Sequence, residues 1–150
     1  MPTILPGYDS AVSALEPVLL DLPGTVIGID GRNGVGKTTF GRYLAWYFNV
    51  SLIESDLFLK DGSFELGYRV DDINRLIQLR LDKLRPVILE GIGLFRLLDH
   101  LDRRADFSIY CQSSIYTPGD ALSVWLDEYD HDYSPRKRAS LIVDLEWGDS

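Results

Sequence analysis

Apolar residues follow two spacings that alternate along this chain. The short runs Thr25-Val26-Ile27-Gly28-Ile29, Val50-Ser51-Leu52-Ile53-Glu54, Val87-Ile88-Leu89 and Phe107-Ser108-Ile109-Tyr110 predict strands buried on both faces. Helical spacing fills the gaps: Phe40, Leu44, Tyr47 and Phe48 after Lys37, then Ile73, Leu76, Ile77, Leu81 and Leu84 on one face. Asp71-Asp72 opens the second of these helices, and Pro86 closes it by restricting Arg85. Ala11 to Leu20 predicts a short helix interrupted by Pro17, with Asp21-Leu22-Pro23-Gly24 as the turn that follows. Leu94 to Leu101 predicts another helix, and Thr117-Pro118 reads as the cap of one carrying Leu122, Trp125 and Tyr129. Residues 139–144 fit either a fifth strand or a helix tail, and we take them as a strand. Strands alternating with helices predict a parallel sheet covered on both faces. Ligands of such sheets lie beyond the carboxyl ends of the strands. The residues to inspect are therefore Asp30-Gly31, Ser55-Asp56, Glu90-Gly91, Cys111-Gln112 and Asp144-Leu145.

One of these ends carries a specific motif. Gly31-Arg32-Asn33-Gly34-Val35-Gly36-Lys37-Thr38 fits Gly-x4-Gly-Lys-[Ser/Thr] and lies between an apolar strand and an amphipathic helix, where a phosphate-binding loop has to lie. The glycines let backbone N–H groups turn onto a polyphosphate, and the helix N-terminus adds favourable partial charge. Residues Gly31 to Thr39 are the candidate nucleotide-binding segment, with Lys37 against the β and γ phosphates and the Thr38 hydroxyl on Mg2+.

Composition narrows the class. At 150 residues the chain suits one domain spanning 1–150, large enough to bury a core. A net charge of -8 argues against nucleic acid or an anionic membrane as partner, since both require clustered Lys and Arg. Cys111 is the only cysteine, which rules out an internal disulfide or a zinc site built on several cysteines and fits a reducing cytoplasm. The N-terminal residues lack the basic flank and apolar stretch of a signal peptide, and no apolar run approaches membrane-spanning length. His100 and His131 have no second histidine at ligand spacing.

Two acidic strand ends complete the chemistry. Phosphoryl transfer to an alcohol needs a carboxylate to orient the hydroxyl and accept its proton, and Mg2+ beside the β and γ phosphates. Asp56 suits the first task and Glu90 the second. With Ile27-Gly28-Ile29-Asp30-Gly31 through Lys37-Thr38-Thr39, Asp56-Leu57-Phe58 as an Asp-x-Phe, and Val87-Ile88-Leu89-Glu90-Gly91 as an apolar strand ending in Glu-Gly, the chain resembles the uridine kinase-like branch of the P-loop small-molecule kinases over about residues 24 to 144. Tyr133-Ser134-Pro135 to Asp144 resembles the family's return into its last strand. The resemblance implies a three-layer α/β P-loop NTPase fold, a five-stranded parallel sheet of order 2-3-1-4-5, and adenine near the loop after the last strand. It also implies that Asp56 meets the acceptor hydroxyl and that Glu90 helps to hold Mg2+.

The chain departs from that family in two places. Only a short stretch separates Asp56 from Glu90, so the insertion that encloses a nucleoside in uridine kinases is absent and uridine is not the expected acceptor. Lys60, Arg69, Phe58, Phe64 and Tyr68 in that stretch are candidates for contact with a different, anionic or apolar, acceptor. The family's lid arginines are also missing, because Ala105 to Ser134 holds Asp106, Asp120, Asp127, Glu128, Asp130 and Asp132 but no Lys or Arg. The segment 111–134 therefore reads as a reduced, acidic lid. Arg136 and Arg138, or Arg32 inside the loop, are the candidates to meet charge on the migrating phosphoryl group. The expected activity is Mg-assisted transfer from ATP to a hydroxyl of a small metabolite. The alternative is a nucleotide-binding module or slow ATPase whose acidic segment docks a partner. A nucleoside monophosphate kinase is disfavoured by the scarcity of arginines for a second phosphate.

Overall fold

The computed structural model describes residues 6–113 and 122–145. The elements run α1 (Pro6–Val18), β1 (Val26–Gly31), α2 (Lys37–Phe48), β2 (Ser51–Glu54), α3 (Val70–Asp82), β3 (Val87–Glu90), α4 (Leu94–Leu101), β4 (Phe107–Gln112), α5 (Ser123–Tyr133), α6 (Pro135–Arg138) and β5 (Leu141–Asp144). Three short 3-10 turns, at Ser55–Phe58, Lys60–Gly62 and Phe64–Leu66, connect β2 to α3. All five strands are parallel, in the order β2-β3-β1-β4-β5. That is the expected order, and residues 139–144 do end in a strand.

Both faces of the sheet are covered, and alternate residues show it. Ile27, Ile29, Ile88, Ile109 and Val143 join a core with Tyr8, Leu15, Phe40 and Leu44 of α1 and α2. Their neighbours Val26, Val87, Leu89 and Ile53 join a second core with Ile73, Ile77, Leu94 and Leu98 of α3 and α4. Strand side chains point to opposite faces in turn, so an unbroken apolar run feeds two cores at once. Among the described residues no helix is long and apolar enough to cross a membrane.

The first helix differs from the sequence reading in its bounds. The first helix starts at Pro6, not Ala11, and ends at Val18 with Pro17 inside its last turn. Proline at a helix start costs nothing because its missing N–H would have no helical partner. Tyr8, Ala11, Val12 and Leu15 then form one buried face. Gly7 is needed there, since a Cβ on it would sit 2.6 Å from the Asp144 carbonyl oxygen. The expected cap at Thr117-Pro118 lies outside the described residues, and α5 is described from Ser123.

Candidate active site

The phosphate loop joins β1 to α2 as expected. Gly31, Gly34 and Gly36 all have positive φ (148°, 84° and 100°), so side chains at these positions would strain the loop. A Cβ on Gly31 would also come within 2.5 Å of the Cys111 carbonyl oxygen. Val35 is buried and anchors the loop from below. Helix α2 opens without a side-chain cap or an acidic first turn, which leaves its N-terminal N–H groups available to an anion.

Lys37 is 6% exposed. Its ammonium donates to the Arg32 carbonyl at 3.2 Å and stands 3.9 Å from Glu90 Oε1. Burial pulls the Lys37 pKa below its ordinary value, with Glu90 the largest opposing influence. Burial likewise pushes Glu90 up; Lys37 opposes this, while Asp56 and Glu54 add to it. Both partners are thus biased towards their neutral forms, so desolvation outweighs their attraction. A polyphosphate and a divalent cation would supply the missing charge to each.

Parallel pairing places Glu54 of β2 beside Glu90 of β3. With Asp56 on the first 3-10 turn they form a cluster whose carboxylate oxygens lie within 4.8 Å of one another. Glu54 is held by Arg42 of α2 through two hydrogen bonds, 3.0 Å from Nε and 2.8 Å from Nη2. Asp56 is exposed and Glu90 buried, so the cluster runs from the surface inward. An oxygen donor set of one or two carboxylates and a hydroxyl, completed by phosphate and water, suits Mg2+. Gly91 leaves room for Ser55 at the start of the turn that carries Asp56, since a Cβ there would overlap the Ser55 side chain.

Asp30 was read only as a strand end, yet it organises the site. One carboxylate oxygen accepts N–H bonds from Gly31 (2.8 Å) and Leu94 (3.3 Å), and the other accepts the Tyr129 hydroxyl at 2.6 Å. Tyr129 in turn accepts the Phe95 N–H at 3.0 Å. Loop, α4 and α5 are joined in one buried network. Burial pushes the Asp30 pKa up, and the Tyr129, Gly31 and Leu94 hydrogen bonds oppose it. Asp30→Ala would leave three donors without this acceptor, at about 1–3 kcal/mol for each one left unpaired. Denaturant unfolding should show a loss of several kcal/mol, and a smaller one for Asp30→Asn, which keeps an acceptor for both N–H groups.

Arg32 does not stand free. Its guanidinium is 17% exposed and bonds Asp127 at 2.6 Å and Asp130 at 2.8 Å, both on α5. The lid-like helix is therefore fastened to the phosphate loop through reversed charges, with the arginine on the loop and the carboxylates on the helix. The Arg136 guanidinium lies 5.2 Å from the centre of the Tyr110 ring and shares a small cleft with Asp130. Arg138 lies 4.2 Å from the centre of the Phe95 ring. Thr38 and Thr39 are half-buried at the start of α2.

No family model matches the chain, and no curated protein matches it. Solved structures do. One, described as a possible uridine kinase from Bacillus stearothermophilus, aligns over 91% of this chain and 98% of its own, with a TM-score of 0.61 at 16% identity. Shikimate kinase from Acinetobacter baumannii, solved in complex with shikimate, aligns over 89% of each chain, with a TM-score of 0.54 at 19% identity. This chain has the P-loop kinase fold. The strand order and the loop-to-helix junction at Lys37 match what the resemblance in sequence implied.

Proposed function

We propose that the protein is an ATP-dependent, Mg-assisted kinase that phosphorylates a hydroxyl of a small metabolite. The observation carrying this reading is the carboxylate cluster of Glu54, Asp56 and Glu90, set 3.9 Å from the phosphate-loop lysine through Glu90. Residues Gly31 to Thr39 bind the triphosphate, with Lys37 on the β and γ phosphates. Thr38 and Glu90 hold Mg2+, which neutralises phosphate charge when bound. Asp56 accepts the proton of the acceptor hydroxyl as its oxygen bonds to the γ phosphorus. The bond from that phosphorus to the β–γ bridging oxygen breaks, and the electron pair leaves with ADP. Lys37 meets the developing charge from the loop side. Arg136 or Arg138 joins it by leaving the ring each now covers, since the described part of the acidic segment offers no cation.

The docking-module alternative loses support from the acids it relies on. Asp127 and Asp130 are engaged by Arg32, and Asp132 lies 3.7 Å from Arg96. Two arginines within the chain thus offset part of the charge of these three carboxylates. The deciding assay incubates the protein with Mg-ATP and a panel of hydroxyl-bearing metabolites, following both ADP and phosphorylated product. Product with at least one acceptor supports the kinase. ADP formed at a rate indifferent to every acceptor favours the slow ATPase.

A further inference from the structure

Arg32 and Asn33 lie between Gly31 and Gly34, two glycines of positive φ (148° and 84°). Glycine loses more backbone freedom on ordering than any other residue, so a loop built on it needs an external hold to keep one shape. Helix α5 supplies that hold on both sides of Gly31. The Tyr129 hydroxyl donates to Asp30 at 2.6 Å, and the Arg32 guanidinium donates to Asp127 at 2.6 Å and to Asp130 at 2.8 Å. The helix also has a seat independent of these bonds. Trp125 packs against Gly93, where a Cβ would come within 2.4 Å of its ring, and meets Phe64 edge-on with 5.5 Å between ring centres. Arg96 lies 4.9 Å from the centre of the Trp125 ring.

Arg32 carries the hold onward to the lysine. Its side chain is bound to α5, and its own carbonyl accepts the Lys37 ammonium at 3.2 Å. One residue therefore links the acidic helix to the cation of the phosphate loop. The sign of the charges makes this arrangement informative. Two carboxylates beside a phosphate loop repel a triphosphate, the more so in a chain of net charge -8. They also draw the Arg32 guanidinium towards α5, so their effect on nucleotide affinity through the field alone is unfavourable. A favourable effect has to come through the geometry of the loop.

We infer that Asp127 and Asp130 are positioning residues for the phosphate loop: by holding the Arg32 side chain against α5 they fix the Arg32 carbonyl, and through it the Lys37 ammonium, before nucleotide binds. The inference rests on the nucleotide-binding part of the kinase reading and adds the residues that preorganise its loop. Calorimetry with Mg2+ and a non-hydrolysable ATP analogue compares the wild type with Asp127→Asn, Asp130→Asn and the double variant. If the carboxylates acted only through their charge, removing them would tighten binding. Positioning predicts the opposite sign, with the double variant binding about 5- to 30-fold more weakly, within the usual range of coupling between sites. Asp130→Glu, which keeps the charge, should retain more affinity than Asp130→Asn. In an Arg32→Gln background the two Asn substitutions should no longer weaken binding, because the residue through which they act is gone. Hydrogen exchange without nucleotide gives a second readout: amides from Arg32 to Thr38 should exchange faster in the double variant, while thermal melting shows that the rest of the chain stays folded. The single variants carry the comparison if the double variant unfolds. Equal or tighter binding after the Asn substitutions, an equal loss in both backgrounds, or unchanged exchange of the loop amides overturns the positioning assignment alone. Wild-type protein that binds no nucleotide overturns the kinase reading beneath it.

Discussion

Lys37→Ala should lower the affinity for Mg-ATP by roughly 100-fold or more, since truncating one partner of a buried charge pair costs about 2–5 kcal/mol. The side chain is 6% exposed, and the polar partner it bonds is a carbonyl of its own loop. Its ammonium is thus desolvated without full compensation, which a triphosphate would provide. The same argument predicts that the fold tolerates the change. Burial already pulls the Lys37 pKa down and the Glu90 pKa up, so the Glu90 left behind can take a proton and need not remain a buried unpaired charge. Isothermal calorimetry with Mg-ATP and thermal melting of both proteins separate the two effects. Unchanged affinity in a folded variant would remove the phosphate-loop assignment.

What could be read from the sequence was local, and what could not was brought together by packing. The loop from Gly31 to Thr38 is a contiguous pattern whose strand and helix flank it directly, so spacing alone located it. Asp56 and Glu90 are 34 positions apart but were found by one rule, that ligands sit at the carboxyl ends of parallel strands. Glu54 could have been found by the same rule, because it ends the strand that pairs with the one ending in Glu90. The Asp30–Tyr129 bond and the Arg32–Asp130 pair each span nearly 100 positions, and nothing in the spacing of α5 announces them. They required the lid-like helix to be laid against the loop. The three turns between Ser55 and Leu66 are not legible for a different reason, since short 3-10 turns carry no hydrophobic period. The start of α1 lies before Ala11 because Tyr8, Ala11, Val12 and Leu15 continue one buried helical face back to Pro6.

Asp56→Asn should spare Mg-ATP binding and reduce phosphoryl transfer by about 100- to 10,000-fold, the usual worth of a general base. Asp56 is exposed on the turn after β2, so no core contact is lost and the amide fits the same space without accepting a proton. Its neighbour should behave differently. Burial, with the charges of Asp56 and Glu54 adding to it and Lys37 opposing, holds Glu90 above the ordinary carboxylate pKa of about 4.3. Protonation of Glu90 competes with Mg2+, so the apparent Mg2+ affinity should begin to fall at a higher pH than a solvated carboxylate would dictate. Glu90→Gln should raise the Mg2+ requirement near neutrality and flatten that acid limb. Transfer rates measured across Mg2+ concentration and pH for the wild type and both variants distinguish the roles. If the Asn variant lost rate only through Mg2+ affinity, and saturating Mg2+ restored it, Asp56 would be a metal ligand and the acceptor proton would have to leave by another group.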